Sequence, residues 1–140
     1  MKLRTSAVGM LLAGWIVLGA GSGTPLWAQA PSGKPATKVI ALDAHGHDYL
    51  QLLGGAPESI TMRSGLVILA PQHSVGKHST GQNEEILIVL AGKGEMMITG
   101  KPSLPVEANH AVYCPPHTEH DVKNTGTEEL RYVYVVAAAK

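Results

Sequence analysis

Short apolar segments rich in β-branched and aromatic residues alternate with glycine and proline turns through most of this chain. The clearest segment, 130–136, reads Leu-Arg-Tyr-Val-Tyr-Val-Val, and residues of this kind pack well on a pleated surface. Turns such as 92–94 and 100–102 separate the segments, and no stretch has the spacing of a convincing amphipathic helix. The pattern therefore predicts an all-β barrel or sandwich.

The same alternation predicts individual strands. A continuous apolar run follows Glu85, which is typical of a strand buried on both faces. A flexible leader rich in Ser, Gly and Pro, residues 31–37, precedes one domain over residues 38–140. The predicted strands span 38–42, 49–53 (or a short helical turn there), a pair within 60–70 that bends at 63–65, 85–90, 95–99, 111–113 and 130–136.

Two segments carry possible metal ligands at regular offsets. In the first, Gln72 precedes His78, and Thr80, Glu85 and Gly92 follow in turn. The second contains, again at fixed offsets, Asn109, Pro115, His117, His120 and Asn124. Histidine and carboxylate are the ligand types that a borderline divalent cation takes.

The order and intervals of these residues resemble the two motifs of the cupin superfamily, although four identities differ. Gln72 and Asn109 stand where glycines open the motifs, Thr80 replaces a second histidine, and His117 replaces an inner glycine. We expect the glycine replacements to affect only turns. The resemblance covers about residues 66–136 and implies a small, single-domain cupin of the conserved-barrel type, with a double-stranded β-helix fold.

Cupins usually hold a metal through three histidines and one glutamate, so the resemblance implies His78, Glu85 and His120 as three remaining ligands. Two histidines and one carboxylate with open coordination positions suit Fe(II), as in non-haem oxygenases, and Zn, Mn, Ni or Co are alternatives. Thr80 would then offer a hydroxyl to the pocket, and Thr80 or His117 would assist proton movement. The competing interpretation is a barrel without metal, whose cavity holds a ligand or nothing.

Only one of two neighbouring acids can face the barrel interior. Side chains alternate along a strand, so Glu84 and Glu85 point to opposite faces. The interval to Gly92 favours Glu85 as the ligand. A register shift at the turn 81–83 would make Glu84 the ligand instead.

The amino-terminal residues predict export. Lys2 and Arg4 precede an apolar stretch, 7–20, and the small residues at 28–30 form a cleavage pattern, so residues 1–30 are typical of a signal peptide. Cleavage directly before Pro31 is disfavoured, which leaves open an earlier cut or retention as an anchor. We expect a periplasmic or extracellular protein with no stable membrane insertion once processed.

The exported part is small and close to neutral. About 110 residues remain, enough for one small domain. Eleven acidic residues stand against the nine basic ones left after Lys2 and Arg4 are removed, and no basic cluster suggests nucleic acid. We expect a small organic ligand or substrate. Apolar faces that include Ile86 and Ile88 predict a homodimer, with a monomer as the alternative.

Cys114 is the single cysteine, so an internal disulfide is impossible, and we expect a buried, unreactive thiol. His117 precedes His120 by three residues and could carry protons, support a ligand or replace the missing one, or simply lie at the surface. The remaining histidines are expected in exposed turns or loops: His45, His47, His73 and His110.

Three functions fit these features. The first is a metal-dependent enzyme, an oxygenase with iron or an isomerase, decarboxylase or lyase with a Lewis-acid metal. The second is a module that binds a small ligand without turning it over, and the third is a structural or interaction domain. A barrel fold alone does not choose among them.

Overall fold

The computed structural model describes residues 33–139, so the predicted signal peptide lies outside the described residues. Within residues 33–139 the secondary structure is entirely β, which confirms the all-β prediction. That part of the chain accordingly contains no helix long and apolar enough to cross a membrane. The strands are β1 (Tyr49–Gly54), β2 (Arg63–Leu69), β3 (His78–Ser79), β4 (Asn83–Ala91), β5 (Lys93–Ile98), β6 (Leu104–Glu107), β7 (Ala111–Cys114), β8 (Glu119–Asn124) and β9 (Leu130–Ala138).

Two antiparallel sheets enclose the core. The larger sheet has the order β1-β2-β9-β4-β7, and the smaller has the order β3-β8-β5-β6. The core draws side chains from both sheets, because inward positions alternate with outward ones along each strand. Its buried members include Val67, Leu87, Val89, Met96, Val106, Val122, Leu130 and Tyr132.

Three strand predictions are wrong. Residues 38–42 form no strand, and 60–70 contains the single strand β2 in place of a pair. Strand β4 is buried on one face only: Leu87 and Val89 point inward, whereas Ile86 and Ile88 are about two-fifths exposed. An unbroken apolar run therefore marks a strand with two apolar faces, of which this chain covers one.

The outer face of the larger sheet is covered at one side. Leu66 is fully buried although its neighbour Val67 points into the core, so Leu66 must lie under another part of the chain. The segment 42–48 lies nearby, because the Leu42 carbonyl accepts a hydrogen bond from Arg131 Nη2 at 3.4 Å. Further along the same outer face, β4 and β7 leave an exposed apolar face formed by Ile86, Ile88, Leu90 and Tyr113.

The turns of both motifs keep a left-handed backbone where glycine has been replaced. Gln72, Asn109 and His117 have φ values of 66°, 68° and 60°, and all three lie in turns. L residues rarely adopt this conformation, although Asn and His adopt it more often than most, so the conformational cost is greatest at Gln72. Gly92 has φ 79°, and an added Cβ would lie 2.3 Å from the Glu129 carbonyl oxygen, so here glycine is required.

Candidate metal centre

Two histidines and one glutamate meet between the sheets. In the smaller sheet, β3 pairs with β8 so that His78 lies opposite His120, with ring centroids 4.4 Å apart. Glu85 approaches from β4 in the larger sheet. One donor atom from each of the three side chains lies within 4.8 Å of the other two, so the cluster could bind a metal ion.

Strand pairing determines which of the two neighbouring acids faces inward. Strand β4 pairs with β9 without a register shift from Asn83 to Val89, so alternation holds across this stretch. Glu85 is 7% exposed and lines the interior. Glu84 points outward, where its carboxylate accepts a hydrogen bond from the Tyr113 hydroxyl at 3.1 Å. The turn at 81–83 therefore does not exchange the two acids.

Backbone carbonyls orient both imidazole rings. His78 Nδ1 donates to the Gly76 carbonyl oxygen at 2.9 Å, and His120 Nδ1 donates to the Thr118 carbonyl oxygen at 3.2 Å. A carbonyl oxygen can only accept, so the proton of each neutral ring resides on Nδ1. The lone pair of each Nε2 is then free to bind a cation, which is the usual arrangement of ligating histidines.

His120 Nε2 is the most informative atom of the cluster. It is buried, has no hydrogen-bond partner among the described residues, and lies 3.3 Å from Glu85 Oε2. A neutral ring with its proton on Nδ1 would place two acceptors against each other, which is costly in a buried site unless a proton or a metal lies between them. The adjacent Glu85 carboxylate accordingly raises the pKa of His120, against the effect of burial.

Thr80 and His117, the candidates for proton movement, have other contacts. The Thr80 hydroxyl donates to the Pro115 carbonyl oxygen at 2.9 Å and accepts from the Thr118 amide at 3.0 Å. It therefore holds the loop whose Thr118 carbonyl orients a cluster histidine, although it also lines the interior. His117 is exposed, lies outside the cavity, and donates its amide to the Gly81 carbonyl oxygen at 2.7 Å.

The remaining histidines and the cysteine lie outside the cluster. His45, His47, His73 and His110 are exposed, as predicted, and His73 also lines the cavity rim. Cys114 is buried, as predicted, with its Sγ 3.3 Å from Met96 Sδ. Burial, followed by the charge of nearby Glu85, raises the pKa of the thiol to about 11.

A cavity of about 700 Å³ adjoins the cluster. Its wall is mixed: aliphatic side chains such as Leu87 and Val122 line it, and so do polar side chains that the sequence did not single out, among them Arg63, Tyr49 and Tyr134. Their strands were largely predicted from the sequence. Their approach to Glu85 was not, because it depends on β9 lying between β2 and β4.

Comparison with known proteins agrees with this architecture. A family model described as a cupin domain matches residues 65–136, about half of the chain. The protein is a cupin. The match and the two sheets together confirm the double-stranded β-helix predicted from the motifs.

Relatives of this cupin differ in the functions given in their names. It is 34% identical to auxin-binding protein 1 of Arabidopsis thaliana over 62 residues, which cover 39% of this chain and 31% of that protein. It is 31% identical to an oxalate-binding protein of Thermotoga maritima over 68 residues, covering 49% and 55%. The cupin thus spans only part of the length of these relatives.

A solved structure shows the same fold. The Cupin 2 conserved barrel domain protein of Salinispora arenicola superposes with a TM-score of 0.62 at 24% identity. The superposition covers 74% of this chain and 91% of the other chain. At this level of identity the likeness concerns the fold alone.

Proposed function

We propose that this cupin binds one divalent metal ion through His78, Glu85 and His120, and that a small organic molecule occupies the adjoining cavity. The observation that carries the proposal is the buried His120 Nε2, which faces the Glu85 carboxylate without a hydrogen bond. A cation between these atoms would satisfy both. The second observation is that both rings are held by Nδ1, which leaves each Nε2 free to bind a cation.

The donor set also narrows the metal. Two imidazole nitrogens and one carboxylate suit Fe(II) best, with Zn, Mn, Ni or Co as alternatives. Such a metal would supply Lewis-acid chemistry, or redox chemistry with iron, to a molecule that takes its open positions. Relatives named for binding auxin and oxalate support a small organic ligand. The chain's polar side chains would orient that ligand, and the aliphatic side chains of the cavity would exclude water from part of it.

Metal content tests the proposal directly. We would purify the protein without chelator or a histidine tag and measure bound metal by mass spectrometry, alongside three variants. His78→Ala and His120→Ala each remove one ligand and should abolish near-stoichiometric binding. His117→Ala is the matched control, because this exposed histidine lies in the same region outside the cavity.

Two results would overturn the metal proposal. One is the absence of bound metal even after anaerobic incubation with Fe(II), Mn(II) and Zn(II). The other is metal that survives in both ligand variants while circular dichroism shows them folded. The His117→Ala control should retain its metal, because His117 lies outside the cavity.

A second candidate function is a binding module without catalysis. The names of the two binding-protein relatives favour it. The metal-loaded protein would be incubated with a candidate small organic molecule, with and without dioxygen, and the products analysed. An enzyme would consume the molecule, and the His120→Ala variant would not. Saturable binding without consumption would indicate the binding module.

We also propose export and self-association. Residues 1–30 support export through their basic start and apolar stretch, and fractionation of cells producing the full chain tests this. The exposed apolar face of Ile86, Ile88, Leu90 and Tyr113 supports a homodimer. Sedimentation of Ile88→Glu should then show a monomer, and a wild-type protein that is already monomeric would contradict it.

A further inference from the structure

Three hydrogen-bond donors converge on the cavity wall away from the metal ligands. Arg63 of β2, Tyr49 of β1 and Tyr134 of β9 all line the cavity. Arg63 is the only lysine or arginine on that wall, and within residues 33–139 it forms no ion pair. A guanidinium that faces a cavity without a carboxylate partner is available to an anion.

Strand register places this cation near the proposed metal. Arg63 pairs with Val136, and Val136 pairs with Glu85, so the three residues form one row across the inner face. Two strand spacings separate the Cα atoms of Arg63 and Glu85 by about 10 Å. Side chains from both ends of the row line the cavity, so the space between them can hold a small molecule.

The tyrosine pair adds a donor of fixed position. The hydroxyls of Tyr49 and Tyr134 lie 2.9 Å apart, and their rings stack with centroids 6.5 Å apart. One hydroxyl donates to the other, which leaves one hydroxyl hydrogen without a partner among the described residues. Gly65 permits this packing, because a Cβ there would lie 2.7 Å from Tyr49 Cε2 and 2.8 Å from Tyr134 Cε1.

Tyr134 lies close to Arg63. On the inner face Tyr134 pairs with Gly65, two positions along β2 from Arg63, so the two side chains are diagonal neighbours. The pKa of Tyr134 is raised, by burial and by its bond to Tyr49, and the Arg63 charge opposes this rise. The free hydroxyl hydrogen and the guanidinium are therefore available to one anionic group.

We infer that the cavity takes a small carboxylic acid, whose carboxylate is bound by Arg63 and by the hydroxyl pair of Tyr49 and Tyr134. The inference rests on the proposed function, because the other end of the acid lies toward the metal. The planar fork of an arginine matches two carboxylate oxygens, and the aliphatic side chains that line part of the cavity suit a carbon body better than an inorganic anion. Asp48 also lines the cavity, but it is distant from Arg63. The Asp48 carbonyl oxygen accepts a hydrogen bond from the Ile68 amide, and Ile68 lies five residues along β2 from Arg63, about 16 Å by strand rise.

Binding of charged and uncharged probes tests the inference. We would measure by calorimetry the affinity of the metal-loaded protein for propionate, succinate and glutarate, for their primary amides, and for inorganic phosphate. At least one acid should bind, and its amide at least tenfold more weakly. Arg63→Gln should weaken acid binding at least tenfold, and Tyr134→Phe less. Lys101→Gln is the matched control, because it removes one positive charge from an exposed turn and should change nothing.

The outcomes separate this inference from the proposed function. Three results would each overturn the inference: equal binding of acid and amide, tighter binding of phosphate, or unchanged acid affinity in folded Arg63→Gln. None of them would affect the metal proposal, which metal content tests separately. The same titrations on metal-free protein complete the test. If the protein binds no metal but binds an acid through Arg63, the metal proposal fails and the acid site remains.

Discussion

The motif residue Asn124 gives the sharpest prediction about stability. Its side chain is completely buried and makes three hydrogen bonds. Nδ2 donates to the carbonyl oxygens of Leu69 and Glu128, and Oδ1 accepts from the Gly126 amide, each at 2.8 Å. These bonds join the end of β8 to the end of β2 and to the turn before β9. Because β8 carries His120, the same bonds also position a proposed ligand.

Asn124→Ala leaves up to three backbone groups without partners. At about 1 kcal/mol for each bond, the variant should lose about 3 kcal/mol of unfolding free energy. For a domain of this size that lowers the melting temperature by about 15 °C. Urea unfolding followed by circular dichroism measures this loss. Circular dichroism is preferred to tryptophan fluorescence because both tryptophans, Trp15 and Trp27, precede the described residues.

Asn124→Asp distinguishes hydrogen bonding from loss of volume. An aspartate keeps the acceptor but places a buried negative charge against two carbonyl oxygens, so at pH 7 it should be less stable than Asn124→Ala. Its stability should recover as acid protonates the carboxyl. The surface variant Gln51→Ala should stay within about 0.5 kcal/mol of wild type. A neutral-pH aspartate variant as stable as wild type would refute the reasoning.

Three further predictions concern other positions. Gly92→Ala should lower the free energy of unfolding by at least about 2 kcal/mol, because the added Cβ meets a backbone oxygen. Gly100→Ala, with φ 75° but open space around it, should lower it by about 1 kcal/mol in the same urea assay. Equal losses in the two variants would contradict this. Cys114, with its pKa near 11, should resist a disulfide reagent at pH 8 until urea unfolds the protein, and fast labelling of the folded protein would contradict its burial. Thr80→Val should weaken metal binding about tenfold in a competition titration, while Thr80→Ser should restore it.

Local sequence predicted the strands that carry apolar or aromatic runs and missed strands without such a run. Strand β9 carries β-branched and aromatic residues at successive positions, so its propensity is visible without partners. Strands β3 and β8 are short or polar, and they exist because they pair with each other and, for β8, with β5. At residues 38–42 the prediction erred in the opposite direction: the apolar run there predicted a strand, and the structure has none.

The cluster residues were accessible from the sequence because motif offsets fix them. The resemblance selected His78, Glu85 and His120, and the interval to Gly92 favoured Glu85 over Glu84. The unshifted pairing of β4 with β9 then placed Glu85 inside. The structure brings the selected three together. Their role as metal ligands stays a prediction, as do export and the homodimer.

The sequence by itself determined the all-β class and, through motif spacing, the positions of His78 and His120, and it favoured Glu85 over Glu84, because alternation and motif spacing are local properties of the chain. Only the tertiary structure decided that Arg63 and the tyrosine pair share a cavity with that cluster. The reason is physical: β2, β9 and β4 become neighbours through antiparallel pairing between residues far apart in sequence. The register of that pairing, which no local pattern encodes, places a cation in the same row as Glu85.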